Sequence, residues 1–327
     1  MRNRFGRVVT VVGLAVMSVA LAFVVSLVIS PAIGQGQGSE IPRTADGRPD
    51  FSGIWQANNT ANWDLQDHVA RPIVSQSGVY PDVPVLAAPV LALGSIGWVP
   101  GGRGVVEGDE IPYQPWAAER KRENVDNWLD RDPELFCYLP GVPRVMYMPV
   151  PLQIFQGTSK IMIISEFANA QRTIHVDEVE QYPNEAWMGH SVGRWEGDTL
   201  VVDVNSFTPY TWFDRSGNFH SDALTVVERY TPIDRNAIQY SATIEDPKVF
   251  TRPWTISMPL YRRLEENAQL IDFRCIEMAE ETLYGHLRQE PLVTRWEGQT
   301  MIVDISRKFE VGDATVYERH LSGNPPD

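Results

Sequence analysis

The chain predicts an all-β protein, an antiparallel barrel behind a long irregular N-terminal region with one short helix. Three observations carry this. After Cys137, short runs rich in Val, Ile, Thr and aromatic residues follow one another with turn residues between them, the pattern of short antiparallel strands. An eleven-residue segment, Arg194–Val204, returns as Arg295–Ile305 with seven identities and three apolar-for-apolar exchanges, and repetition on this scale is architectural. Before Pro133, Pro72, Pro81, Pro84, Pro89, Gly94, Gly97 and Pro100 interrupt the chain without periodicity, so neither helix nor strand can run far there.

In chain order, Arg2, Arg4 and Arg7 precede an uncharged apolar run from Val8 to Ser30 and then Pro31-Ala32-Ile33-Gly34. Residues 1–34 therefore read as an export signal. The run also reaches the ~20 residues that cross a bilayer, so an uncleaved anchor is the alternative. Both place the remainder in the periplasm or outside the cell, with membrane contact confined to this segment. Residues 35–49 read as a linker. A single β domain is expected over 50–327, in which 50–136 forms a lid or entry region and 137–327 the barrel. It opens at Asp50-Phe51-Ser52-Gly53-Ile54-Trp55. Helical spacing without proline predicts a short helix over Trp116–Trp128.

Strands are expected at Gln153–Thr158, Lys160–Phe167, Gln171–Asp177, Ser191–Asp198, Leu200–Phe207, Asp222–Tyr230, Ala237–Ile244, Thr255–Tyr261, Gln269–Cys275, Val293–Glu297, Met301–Ile305 and Ala314–His320. Gly197-Asp198 and Gly298-Gln299 sit where two-residue hairpin turns fall. Alternation puts Leu200, Val202 and Val204 on one face and Val201, Asp203 and Asn205 on the other. His220 would share a face with Asp222 and Leu224 if the later strand began that early.

Composition excludes some partners. The chain carries 28 basic against 42 acidic residues, and loss of the three signal arginines makes the remainder more acidic still. Nucleic acid needs a positive footprint and is disfavoured. The two cysteines, Cys137 and Cys275, can form one disulfide in an exported chain or stay as two buried thiols. No Gly-rich phosphate loop is present, so no organic cofactor is expected.

Two resemblances rest on quoted residues. Pro49-Asp50-Phe51-Ser52-Gly53-Ile54-Trp55, Leu139-Pro140-Gly141-Val142-Pro143-Arg144, Trp187–Asp198, Asp214-Arg215-Ser216-Gly217 and His220-Ser221-Asp222-Ala223-Leu224 are similar to a large group of exported bacterial proteins. That likeness implies export and one domain, and it supplies no catalytic residues. The Trp195–Asp203 hairpin, followed by a strand ending in Glu228-Arg229, resembles hairpins of calycin-type barrels such as lipocalins, which implies an enclosed site for a small ligand.

The two copies of the repeat differ in their connectors. Asp203 and Asp222 are nineteen residues apart, whereas their counterparts Asp304 and Asp313 are nine apart. The enlarged connector and its flanks gather His190, Tyr210, Trp212, Asp214, Arg215, Ser216, His220 and Asp222, with Trp187 just before. A polar, aromatic insertion in one copy only points to function. The expectation is an exported, cofactor-independent lyase, isomerase or hydrolase acting on a small apolar or glycosidic molecule. His220 would be the base, Asp222 would orient its ring, His190 would be the partner acid, and Arg215 would stabilise developing negative charge. Trp187, Tyr210, Trp212 and Arg144 would bind substrate. Asp214 would complete a Ser-His-Asp set with Ser216 or Ser221, or a divalent-metal site with His190 and His220. Glu196, Glu228 and Asp214 could supply paired carboxylates, although recurrence in both copies suits Glu196 and Glu228 to ion pairs with Arg194 and Arg229. The alternatives are a carrier whose histidines only hydrogen-bond the ligand, and a structural envelope component with a solid barrel.

Overall fold

Nine strands close into a barrel in the order β1-β11-β10-β9-β8-β7-β6-β5-β4, with β4 returning to pair with β1. The computed structural model describes residues 40–69, 71–72, 98–99, 101–126, 131–177, 184–277, 293–297 and 300–304. All but Glu40 belong to one compact unit, Ile41–Asp327. The strands are β1 (Gly53–Ala57), β2 (Arg71–Pro72), β3 (Trp98–Val99), β4 (Leu152–Gln156), β5 (Lys160–Ser165), β6 (Gln171–Val176), β7 (His190–Glu196), β8 (Thr199–Asn205), β9 (Thr225–Asp234), β10 (Ala237–Glu245), β11 (Trp254–Arg262), β12 (Val293–Glu297) and β13 (Thr300–Asp304). The helix α1 spans Pro115–Asp126, one residue ahead of its expected start.

The barrel is antiparallel at every junction but one. β6 and β7 run parallel, pairing Ile174 with Ser191 and His175 with Val192. The long connection between Val176 and His190 makes this possible, because a parallel pair needs the chain carried back to the same end of the sheet. Gly197, at φ +62°, makes the expected two-residue turn between β7 and β8.

Alternation fills the interior as read from the sequence. Leu200, Val202 and Val204 of β8 join one core with Ile154, Ile163, Ile174, Val226, Tyr230, Tyr240, Ile256 and Leu260. Asp203 and Asn205 face outward and are only half-buried. The interior also holds a charge pair: Arg172 donates to both carboxylate oxygens of Glu228, at 3.0 and 2.6 Å, and to Ser191.

The second repeat copy keeps the register of the first. Arg295 pairs with Ile302 and Trp296 with Met301, as Arg194 pairs with Val201 and Trp195 with Leu200. It forms a two-stranded sheet, β12-β13, apart from the barrel sheet. The expected turn at Gly298-Gln299 and strand at Ala314–His320 lie outside the described residues, as does the export segment. Among the described residues, no helix is long and apolar enough to cross a membrane.

Three local expectations are corrected. The barrel is not confined to 137–327: β1, in the stretch 50–136 expected to form an irregular lid, closes the ring between β4 and β11, because the barrel's two end strands need a partner for their open edges. Gln269–Cys275 forms no strand. The closed barrel explains it, since β1 already pairs with both β4 and β11 and leaves no free edge. The last part of the expected linker packs on the domain: Arg43 bridges to Pro49 and pairs with Asp198 at 2.7 Å.

Candidate functional site

The predicted catalytic pair does not form. β9 begins at Thr225, so Asp222 lies in the turn before it and its side chain, 48% exposed, pairs with Lys248 at 2.6 Å. His220 turns inward and is buried. One of its ring nitrogens lies 2.5 Å from the Thr211 hydroxyl and the other 2.8 Å from the Ser221 carbonyl, and its ring packs against Phe207 and Phe213. Burial pushes this imidazole below its usual pKa. The carboxylate that organises the turn is Asp246, which accepts from the Ser221 amide at 2.6 Å and the Ser221 hydroxyl at 2.9 Å.

His190 does not meet His220. It opens β7 on the face opposite buried Ser191, and its ring lies near-parallel to that of His175, with centroids 5.7 Å apart. The parallel β6–β7 junction creates this neighbour, and it faces out of the barrel. Among the described residues, no group of three or more His, Cys, Asp or Glu side chains could hold a metal, so His190, His220 and Asp214 are not assembled as ligands.

Asp214 is a fastening between loops. Its buried carboxylate accepts from the amides of Leu65, Ser216 and Asn218 and from the Asn218 side chain. Burial, and next the nearby Asp64, raises it to about 7. The Ser216 hydroxyl donates to the Trp63 carbonyl and the Arg215 amide to the Asn62 carbonyl. The enlarged connector is thereby tied to Asn62 and Trp63, in the irregular region before Pro133. Trp212 is buried. Trp187 stacks on Tyr138 with centroids 4.8 Å apart and has the tilted Tyr210 ring at 6.0 Å. Tyr138, Trp187 and Tyr210 pack on one another, and neither they nor Trp212 line the cleft described next.

The residues that do converge on a cavity are Arg215 and, one contact behind it, Arg144. A cleft of about 300 Å³ is walled by Leu135, Met148, Pro149, Val150, Phe167, Phe273 and Ile276, and Asn62, Trp63, Glu134 and Arg215 form its polar side. A short turn, Pro133–Phe136, presents Glu134; it starts because the Asp132 carboxylate accepts from the Glu134 amide and Pro133 stands at its first position. Arg215 donates to Glu134 through two nitrogens at 2.9 and 2.8 Å and lies over the Trp63 ring, 4.5 Å from its centroid. Arg144 donates to Glu134 at 2.5 Å, to both oxygens of Asp132, and to Asn62.

Electrostatics follow from this packing. Burial alone would raise Glu134, but the Arg215 and Arg144 guanidiniums outweigh it and hold the carboxyl at about 2. Burial would lower Arg144, and Asp132 and Glu134 reverse that and raise it. For Asp132 burial wins and its pKa rises, against the opposing pull of Arg144. The bridge Cys137–Cys275, with Cα atoms 5.6 Å apart, joins the residue that ends the Glu134 turn to Cys275 in the cleft wall.

No family model, no curated protein and no solved structure matches the chain. Arg144 and Arg215 stood out in the sequence. Trp63, Asn62 and Glu134 did not, because each owes its place to partners far along the chain and none sits in a motif.

Proposed function

We propose that the protein binds a small, mostly apolar molecule in this cleft and carries it outside the cytoplasm without chemical change. One observation supports this above the rest: the polar side of the cleft is bonded to itself. The Glu134 carboxylate accepts from Arg144, Arg215 and Asn62, and a carboxyl held at about 2 beside guanidiniums that stay charged neither gives nor takes a proton at neutral pH. Affinity then comes from the apolar walls, as in most small-molecule pockets. Acid–base catalysis by His220 has less support, since both ring nitrogens are engaged inside the fold. The disulfide is compatible with an exported chain; the barrel interior is filled by its own core and none of the residues lining the cleft belongs to a barrel strand, so this site is not the enclosed barrel cavity that the calycin likeness implied.

The neutral fluorophore N-phenyl-1-naphthylamine should bind with a blue shift. Val150→Trp, which fills the cleft from its wall, should weaken that binding at least about tenfold and leave the barrel circular dichroism unchanged. Equal binding by the variant would overturn the assignment of the site.

A further inference from the structure

One wall of the cleft differs from the others. Phe273, Arg274, Cys275 and Ile276 belong to the chain after β11, and residues 263–277 form neither helix nor strand. Leu264, Ile271 and Ile276 are exposed. A segment that buries little apolar surface opens at low free-energy cost. Among the described residues, its non-covalent ties near the cleft include the Ile271 amide to Glu166 at 3.1 Å and the Phe273 ring against Phe167 at 5.4 Å. The covalent tie is Cys137–Cys275. Cys137 ends the very turn that carries Glu134, and its amide donates to the Glu134 carbonyl at 3.1 Å. The bridge thus joins the polar side of the cleft directly to its loosest wall.

We infer that Cys137–Cys275 is the latch of the cleft: the disulfide holds the 271–277 wall closed beside Trp63 and Arg215, and reduction by a dithiol releases the wall and empties the site. The inference rests on the cleft being the ligand site. In the reaction, a thiolate of the dithiol attacks one sulfur of the bridge and the other sulfur leaves. The dithiol's second thiol then resolves the mixed disulfide. Two electrons and two protons end on Cys137 and Cys275 as thiols, and the dithiol becomes a cyclic disulfide. Both cysteines are half-buried, not sealed, so a small dithiol can reach them. The barrel does not depend on the bridge for closure, because β1 completes the ring through β4 and β11 without any residue of 263–277.

The test uses the full chain, dithiothreitol, and N-phenyl-1-naphthylamine as probe, with a free-thiol count to verify that the bridge is broken. Reduction should weaken probe binding at least about tenfold, speed amide exchange within 271–277, and leave the barrel circular dichroism in place. The pair Cys137→Ser with Cys275→Ser should reproduce the reduced state without any reductant. Unchanged exchange in 271–277 after verified reduction overturns the latch, whatever the probe does. Unchanged probe binding with a freed wall also overturns it and leaves the cleft assignment standing. Loss of the barrel signal on reduction overturns it as well, because the bridge would then be a staple of the fold. If the oxidised chain fails to bind the probe, the cleft assignment falls by itself and the exchange measurement still decides whether the bridge holds the wall.

Discussion

Among the described residues, two buried glutamates pair with arginine, Glu228 inside the barrel and Glu134 beside the cleft, and their surroundings separate them. Inside, Arg172 and Glu228 are enclosed on all sides; the hydroxyls of Tyr230 and Tyr240 donate to Glu228 at 2.9 and 2.8 Å, and the Nε of Arg172 has no hydrogen-bond partner. Each ion there relies on the other. At the cleft, Glu134 shares two guanidiniums, Arg144 also holds Asp132, and Arg215 keeps 13% of its side chain exposed. The interior pair is isolated and sealed, whereas the cleft pair is distributed and borders solvent. The difference teaches that a buried ion pair is sensitive in proportion to how little else can take up the charge left behind.

The sharpest way to break this comparison is to neutralise each glutamate in turn. Glu228→Gln strands Arg172 in the core and should cost about 3–5 kcal/mol in denaturant unfolding. Glu134→Gln should cost less, about 2–3 kcal/mol, because Arg144 retains Asp132 and Arg215 can reach water. Equal losses would show that the extra partners at the cleft carry no weight. Acid sharpens it next. Glu134 is depressed from 4.5 to about 2 in the folded chain, so its contribution is complete above pH 4.5 and is lost as the pH falls from there toward 2. The loss should reach about 3 kcal/mol and be missing from Glu134→Gln in urea melts across that range. The smallest effect belongs to the pair that the sequence misassigned. Asp222→Asn removes an exposed bridge to Lys248 and should shift stability by less than about 1 kcal/mol. A loss of several kcal/mol would mean that Asp222 supports His220 after all.

The site was legible in the sequence only where one stretch of chain supplies it. The enlarged connector does reach the cleft, through Arg215, and it does so because Asp214 and Ser216 tie it to Leu65 and Trp63. The histidines in the same stretch went elsewhere for reasons of backbone phase. His220 precedes β9 by five residues and so does not inherit strand alternation, and His190 falls on the outward side of β7. Glu228 shows the same effect in reverse: its recurrence, with that of Glu196, suited it to hairpin ion pairs with Arg194 and Arg229, yet strand alternation turns it inward to Arg172. Arg229 instead pairs with Glu196, as expected.

What the sequence determined by itself are the local features: the positions of the strands from β4 onward, the Gly197-Asp198 turn, the inward stripe of Leu200, Val202 and Val204, the helix, and the register shared by the two repeat copies; β1, which closes the ring, it did not mark. Each depends on residues within a few positions of one another, where alternation and turn chemistry act. Only the tertiary structure decided the parallel β6–β7 junction, the separate sheet of the second copy, the Cys137–Cys275 bridge, and the meeting of Asn62, Trp63, Glu134, Arg144 and Arg215. Those depend on which strand edges remain open when the barrel closes and on side chains whose partners lie as far as 81, 82 and 138 residues away. Closure of the ring is a property of the whole chain and leaves no mark at any single position.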